Sequence, residues 1–212
     1  MAATRRDISL GFTPERLHEG LHVCYLFDDD EERLRVMAPF LQSGLDDREK
    51  VLYLVDQMTP AAMIRRLDGL GVDARSRDRG LVVSEAAPTY CPGGTFSGTE
   101  MLDVVRDFYL EALANGYAGA RGTGEMSWCL VEGRTDLGEL MDYEARLNVL
   151  LQAYPYTACC QYDVRRFDGQ TIMDVLSVHP LMIVRGQVVR NPCFVEPATF
   201  LARTRRATPA HG

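Results

Sequence analysis

The chain alternates short apolar runs with amphipathic stretches, and this alternation constrains its fold more than any other feature. Five runs share the apolar composition of buried strands, at 21–27, 51–55, 81–83, 117–120 and 157–163. Apolar residues recur with helical spacing in the stretches 31–45, 61–70, 97–114, 137–153 and 171–177. Nearly continuous apolar strands are typical of a parallel sheet covered on both sides. The order predicts a layered α/β domain with a mainly parallel sheet, helices on both faces and a closing C-terminal hairpin at 182–189.

Length and composition predict one soluble domain. A chain of 212 residues with 46% hydrophobic content can bury one sizeable core. We expect this domain at 18–200, with 1–17 as an N-terminal extension and 201–212 as a basic, flexible tail. No apolar run approaches the roughly 18 residues of a membrane span, and the polar N-terminus does not resemble a signal peptide. Six cysteines without CxxC spacing fit the same picture, so we expect a cytoplasmic protein without membrane contact.

Charge and missing motifs argue against several classes of function. A formal net charge of −7 argues against direct binding of nucleic acid, which needs a dense basic surface. The only lysine, Lys50, begins a strand far from any glycine-rich turn, so Walker-type phosphate binding is not expected. The segment 122–124 lacks the third glycine of a dinucleotide fingerprint, and no nucleophile elbow occurs. We therefore expect neither an enzyme nor a bound cofactor.

A glycine-rich segment with an acid and the only tryptophan is the first candidate for a site. It runs from Arg121 to Trp128 and includes Gly124 and Glu125. Glycines let the backbone approach a ligand closely, and the acid and indole beside them suggest a small pocket. In open α/β sheets, ligands bind beyond the carboxyl ends of the strands. An acid stands at or beside each predicted strand end, which predicts an acidic rim that repels phosphates: Asp28, Asp56, Glu85, Glu125 and Asp163.

These acids differ in how easily they are explained without a ligand. Asp28 and Asp56 precede predicted helices and fit the simpler interpretation of helix caps. Glu125 and Asp163 precede no clear helix, which favours a functional role for them.

Glu144 is a carboxylate on the apolar face of the predicted helix 137–153. A carboxylate that faces the core is costly unless it is paired or hydrogen-bonded. Arg121 is the expected partner, because it is a charge within a predicted interior strand. Two interpretations stay open: a buried ion pair that braces the glycine-rich segment, or a Glu144 side chain that reaches the ligand directly.

Histidines and cysteines give a weaker signal. His22 and Cys24 alternate on the first strand and share a face, as do Cys160 and Tyr162 on the fifth strand. A site for a soft metal could form from His22, Cys24, Cys160 and His179, although the spacing of these residues does not demand one. Buried cysteines that act as small apolar residues are the favoured interpretation, so no metal is expected. His179, which precedes a proline, could simply end a helix.

Taken in order, these motifs resemble the MEDS domain, a sensory domain named after methanogen and methylotroph regulators. The likeness spans roughly residues 18–200 and rests on the segments 22–27 with 31–32, 38–41 with 44–45, 50–53, 124–128, 143–144, 160–163, 179–180 and 191–192. The resemblance implies a RecA/KaiC-like fold without a phosphate loop that senses small hydrocarbon derivatives. Such domains are usually joined to a DNA-binding, kinase or similar output module, and this sequence shows none. We therefore expect the signal to pass to a separate partner.

The leading hypothesis is a non-catalytic sensor that binds a small organic molecule at the carboxyl edge of the sheet and signals to a regulatory partner, such as a kinase or a transcription factor. Whether the chain forms a homo-oligomer is left open. One alternative is a regulatory module with a vestigial pocket that docks through 198–206. Another is a metal-dependent or thiol-dependent protein. The candidate ligand-binding residues are His22, Cys24, Tyr25, Asp56, Phe96, Arg121, Gly124, Glu125, Trp128, Glu144, Cys160, Tyr162 and His179.

Overall fold

The structure of the protein, a computed structural model, describes residues 5–74 and 80–207. In chain order the strands of this part are β1 (Asp7–Ser9), β2 (Arg16–His18), β3 (His22–Phe27), β4 (Glu49–Val55), β5 (Leu81–Glu85), β6 (Gly119–Glu125), β7 (Thr157–Asp163), β8 (Leu181–Val184) and β9 (Gln187–Arg190). The last seven form one sheet in the order β5-β4-β6-β7-β3-β8-β9. Only β8 and β9 pair antiparallel in this sheet, while the other neighbours are parallel. The predicted sheet and closing hairpin are confirmed.

The helices of the same residues are α1 (Asp30–Asp46), α2 (Pro60–Gly69), α3 (Ala86–Tyr90), α4 (Gly98–Ala114), α5 (Leu137–Ala153), α6 (Gly169–Val178) and α7 (Pro197–Ala207), with a 3-10 helix at Ser127–Leu130. Their starts follow ordinary capping chemistry. Ser97 caps α4 as its sequence predicts, and Asp136 caps α5. Asp29 rather than Asp28 caps α1, and Thr59 rather than Asp56 caps α2, so the cap interpretation of those two strand-end acids is wrong.

Two hydrophobic layers cover the two faces of the sheet. One face packs against α1 and α2 and is called the α1 face, with a core that includes Leu34, Met63 and Cys159. The opposite face packs against α4, α5 and α6 and is called the α5 face; its core includes Leu147 and Cys160. Because side chains alternate along a strand, neighbouring residues of one strand serve different layers.

The segments 7–18 and 197–207 belong to the fold more fully than the sequence predicts. The hairpin of β1 and β2 lies within the expected N-terminal extension, yet Ile8 and Leu10 are buried in the α1-face core. Helix α7 occupies most of the expected flexible tail, and its Phe200 and Leu201 pack against the α5-face core. The expected bounds 18–200 are therefore too narrow, whereas 208–212 lie outside the described residues. The proposed docking element 198–206 directs apolar side chains into its own domain.

Truncating Leu10 tests whether the N-terminal hairpin is part of the core. Leu10 is 1% exposed, so Leu10→Ala is expected to lower the free energy of unfolding by about 2–5 kcal/mol, since the change leaves a cavity. Chemical denaturation measures this loss. Leu70→Ala is the matched control, because Leu70 is 44% exposed and should tolerate the change with little effect. Equal losses in both variants would contradict the assignment of 7–18 to the fold.

Among the described residues, the helices are all too short or too polar to cross a membrane.

Candidate functional site

Four buried polar side chains meet on the α5 face, at the amino end of β3. They are His22, Glu144, Cys160 and His179, called the His–Glu–Cys–His cluster, and one donor atom of each lies within 4.8 Å of the others. Glu144 Oε2 lies 3.1 Å from His22 Nε2 and 3.8 Å from both His179 Nε2 and Cys160 Sγ. Tyr162 donates a hydrogen bond of 3.0 Å to the other carboxylate oxygen. Glu144 therefore finds its partners in histidines and a tyrosine.

The hydrogen bonds around this cluster settle which ring nitrogens carry protons. Asn148 uses its amide nitrogen to donate to the carbonyl oxygens of Glu144 (3.0 Å) and Val178 (2.8 Å). Its carbonyl oxygen therefore accepts from Nδ1 of His22, at 3.1 Å. Nδ1 of His179 donates to the carbonyl of Val175 at 2.8 Å. Both imidazoles thus direct Nε2 into the cluster, and Nε2 of His179 has no hydrogen-bond partner among the described residues.

Burial and neighbouring charges decide the ionisation of the cluster. Burial, followed by repulsion from His22, lowers the pKa of His179 to about 3, so its ring is neutral. Burial and the nearby Glu144 raise the pKa of the Cys160 thiol well above its ordinary value. Burial alone would raise the pKa of Glu144, but its hydrogen bond with His22, the attraction to His22 and the hydrogen bond from Tyr162 outweigh burial and lower it. An ionised carboxylate, a neutral thiol and a bare ring nitrogen therefore face one another, a donor set that can hold a metal.

A small cavity of about 30 Å³ lies beside the cluster, between the sheet and helices α4 and α5. Cys160 belongs to both. The strand glycines line the cavity and let two tyrosine hydroxyls approach the sheet: a methyl group on Gly124 would lie 2.6 Å from the Tyr90 hydroxyl oxygen, and one on Gly122 would overlap the Tyr156 hydroxyl. The other lining residues are mainly apolar: Leu52, Leu54, Met101, Val104, Val105, Phe108, Thr123, Tyr143, Leu147, Ala158 and Cys159.

Aromatic rings separate Trp128 from this cavity. Trp128 is fully buried and stacks on Tyr90, with ring centroids 4.5 Å apart, while Phe96 packs against it at 5.3 Å. Tyr90 lines the cavity but the indole does not. The only tryptophan therefore lies one ring away from the cavity, close enough for its fluorescence to respond to events there.

Glu125 lies on the α1 face, in a second polar network. Its Oε1 accepts hydrogen bonds from Arg33 at 2.6 Å and from the Tyr53 hydroxyl at 3.0 Å. Its Oε2 accepts the backbone N–H groups of Asp56 and Gln57, both at 2.8 Å. Arg33 is not among the residues predicted from the sequence, although its spacing to Met37 and Leu41 puts it on the apolar face of α1.

The predicted ion pair between Arg121 and Glu144 is wrong, because the sheet separates the two side chains. Arg121 is on the α1 face, where its Nε pairs with the buried carboxylate of Glu49. Its NH1 donates to the Phe40 carbonyl and to Ser43 Oγ, at 3.0 and 2.9 Å. Arg121 therefore braces α1 against the sheet and takes no part in the His–Glu–Cys–His cluster.

The structure divides the predicted site residues between the two faces. Those on the α5 face are His22, Cys24, Phe96, Gly124, Trp128, Glu144, Cys160, Tyr162 and His179, whereas Tyr25, Arg121 and Glu125 are on the α1 face. Asp56 follows β4 beside Glu125. The candidate residues therefore do not line one shared pocket. Cys24 is buried and paired with Cys160 on the neighbouring strand, but it is not a member of the cluster. Glu144 takes the place in the cluster that the sequence suggests for Cys24.

The acids at the strand ends do not form the anionic rim that the sequence predicts, since arginines offset several of them. Asp163 accepts from Arg165 at 2.7 Å, which holds the pKa of Asp163 below its usual value. Arg165 also contacts Asp30, at 3.0 Å. At the start of α1, Asp29 accepts the N–H of Glu32 and so caps the helix.

A wider groove of about 690 Å³, called the amino-edge groove, opens at the amino ends of β3 and β8. The first hairpin, the end of α5 and the strand β9 border it, and His22 and Asn148 contribute to its wall.

Comparison with known proteins agrees with this fold. The model of the family described as MEDS, the MEthanogen/methylotroph, DcmR Sensory domain, matches residues 21–180. The transcriptional repressor DcmR of Methylorubrum extorquens is 28% identical over 163 residues, which cover 74% of this chain and 57% of that repressor. The chain thus spans little more than half the length of this relative.

Two solved structures share the fold at low sequence identity. A KaiC-like protein from Pyrococcus horikoshii superposes with a TM-score of 0.60 at 10% identity, covering 84% of this chain and 80% of its own. The flagellar accessory protein FlaH from Methanocaldococcus jannaschii gives 0.56 at 11% identity, with coverages of 80% and 75%. The sheet is therefore of the RecA type found in KaiC-like proteins. Together with the match over 21–180, this shows that the chain belongs to the MEDS family of sensory domains.

Proposed function

We propose that this chain is a non-catalytic sensor domain that binds a small, neutral organic molecule in the α5-face cavity and passes the signal to a separate regulatory protein. The observation that carries the proposal is the cavity itself, which lies within the α5-face core and is lined by Gly122, Gly124 and Ala158. Membership of a sensory-domain family and similarity to a transcriptional repressor support the regulatory role. A kinase or a transcription factor would be a suitable partner.

The size and lining of the cavity limit what it can bind. A water molecule needs roughly 10–15 Å³, so a cavity of about 30 Å³ admits roughly two or three non-hydrogen atoms before its walls must move. The described lining residues carry no charged side chain. A charged ligand would pay a large desolvation penalty there. A short hydrocarbon derivative, with a polar atom near a tyrosine hydroxyl or the Cys160 thiol, fits these limits.

The cavity offers a ligand little chemistry. Burial raises the pKa of Cys160 well above its ordinary value, so the thiol stays protonated and is a poor nucleophile. Tyr90 and Tyr143, which also line the cavity, have pKa values raised by burial and are neutral. This supports binding without turnover.

Helix α4 connects the cavity with the surface. Val104 lines the cavity and is also 37% exposed, while Leu110 and Leu113 of the same helix are 45% and 43% exposed. A ligand that pushes α4 away from the sheet would change this exposed apolar surface, which a partner could then read.

The fluorescence of Trp128 tests the proposal. We screen short alcohols, amines, haloalkanes and methylated compounds. We expect one of them to shift the emission of Trp128 and to raise the melting temperature without being consumed. The emission should respond because Tyr90, which stacks on the indole, lines the cavity. A screen that moves neither quantity, or a compound that is turned over, would argue against a non-catalytic sensor.

Two variants locate the binding site. Ala158→Val fills the cavity and is expected to abolish the response, whereas Ala118→Val makes the same change at an exposed position and should preserve it. A response that survives Ala158→Val but disappears in Val188→Phe would place the ligand in the amino-edge groove and contradict the proposal.

A further inference from the structure

We propose that the His–Glu–Cys–His cluster binds one divalent transition-metal ion, with His22, Glu144, Cys160 and His179 as its ligands. The proposal goes beyond the sensory function and does not depend on a ligand in the cavity. The four side chains come from β3, α5, β7 and the residue that ends α6, so the ion would tie these elements together on the α5 face.

The distances between the four donor atoms match a small coordination sphere. A tetrahedral zinc site with metal–nitrogen distances of about 2.0–2.1 Å and a metal–sulfur distance of about 2.3 Å separates its ligand atoms by roughly 3.3–3.6 Å. Nε2 of His22 lies 3.1 Å from Glu144 Oε2 and 3.7 Å from Cys160 Sγ. Glu144 Oε2 lies 3.8 Å from Cys160 Sγ and from His179 Nε2. Small side-chain rotations would bring all four into range of one ion.

The hydrogen bonds outside the cluster orient both imidazoles as metal ligands. In metal sites, the ring nitrogen that does not bind the ion usually donates to an oxygen, which fixes the tautomer and the ring plane. Nδ1 of His22 donates to Asn148 and Nδ1 of His179 donates to Val175. Nε2 of His179 is then a lone-pair donor, fully buried and without a hydrogen-bond partner in the described part of the chain. The lone pair on this nitrogen faces a carboxylate and a thiol, so a cation or a proton must lie between these groups.

Charge balance favours a divalent ion. The cluster offers two groups that bind a metal as anions, the Glu144 carboxylate and the Cys160 thiolate, and two that bind as neutral groups, the imidazoles of His22 and His179. A divalent ion is therefore balanced by its own ligands, and the loaded cluster is neutral. Two imidazoles, a thiolate and a carboxylate suit Zn²⁺ or Co²⁺ better than Mg²⁺ or Ca²⁺, which prefer oxygen ligands.

Cobalt binding tests the proposal directly. The full chain, stripped with a chelator, is titrated with Co²⁺ and with Zn²⁺. We expect one ion per chain, with the visible bands of tetrahedral Co²⁺ and a near-ultraviolet charge-transfer band from the thiolate. Zn²⁺ is expected to displace Co²⁺ and abolish these bands. No retained ion, or octahedral Co²⁺ bands without charge transfer, would overturn the proposal.

Two neighbouring cysteines provide a matched pair of variants. Cys160→Ser is expected to lose the charge-transfer band and to weaken Zn²⁺ binding at least about 10-fold. Cys24→Ser makes the same change at a buried residue paired with Cys160 across β3 and β7, but outside the cluster, and is expected to keep both. Asn148→Ala, which frees the His22 ring, is expected to weaken Zn²⁺ binding about 10–100-fold. Loss of the band in Cys24→Ser alone would contradict the assignment.

Zinc X-ray absorption of the unmutated chain identifies the ligand atoms around the ion. This measurement does not depend on whether a variant folds. We expect one sulfur ligand and three nitrogen or oxygen ligands. A shell without sulfur, or with two sulfurs, would overturn the ligand set.

Discussion

Glu125→Ala is expected to lower the free energy of unfolding by about 3–5 kcal/mol. The change leaves the guanidinium of Arg33, which is 0% exposed, without its buried carboxylate. It also removes the acceptor of the backbone N–H groups of Asp56 and Gln57. A buried charge without its partner costs more than the pair contributes when it is intact. Urea unfolding, followed by the fluorescence of Trp128, measures the loss.

Glu132→Ala is the matched control for this variant, because Glu132 is exposed and the same truncation there should change stability by less than about 0.5 kcal/mol. Adding Arg33→Met to Glu125→Ala removes the unpaired charge and is expected to recover part of the loss. A Glu125→Ala variant as stable as the control would show that the Arg33–Glu125 network does not hold the strand ends together.

Glu49→Ala is expected to cost a similar amount, about 3–5 kcal/mol, for the same physical reason on another part of the α1 face. Arg121 and Glu49 are both 0% exposed, and their ion pair is supported by Arg6, whose NH2 lies 2.7 Å from Glu49 Oε1. Among the residues that the structure describes, removing the carboxylate leaves Arg121 with one acid within 4.0 Å, Asp47. Thermal or urea unfolding would record the loss.

The exposed ion pair between Lys50 and Glu111 supplies the comparison. Glu111 has a side chain that is 62% exposed, so Glu111→Ala should change stability by about 0–1 kcal/mol. If Glu49→Ala and Glu111→Ala have the same effect, Arg121 would not be the buried brace that joins α1 to the sheet.

Periodicity predicts much of this fold because each long element carries its own pattern. Helix α5 begins and ends at the predicted residues, and the closing hairpin, predicted at 182–189, is found at 181–190. The alternation of Cys159 and Cys160 also holds, with the first in the α1-face core and the second in the α5-face core. The hairpin of β1 and β2 was missed because strands of three residues are too short to show a period.

The partners of the buried charges could not be predicted in the same way. Alternation shows which residues of one strand share a face, but it does not show which side of the assembled sheet that face occupies. Arg121 and Glu144 look like natural partners in the sequence. However, β4 lies beside β6 in the sheet, so Arg121 forms its ion pair with Glu49. The convergence of His179 on His22 likewise depends on β8 lying beside β3, a pairing between distant parts of the chain.

The most direct test of the sensory proposal is a crystal structure of the chain with the compound that shifts Trp128 fluorescence most. We expect electron density for that compound between Gly124, Tyr90 and Cys160, with α4 displaced from the sheet to make room for it. Density in the amino-edge groove, or at the start of α1, with the cavity unchanged would contradict it.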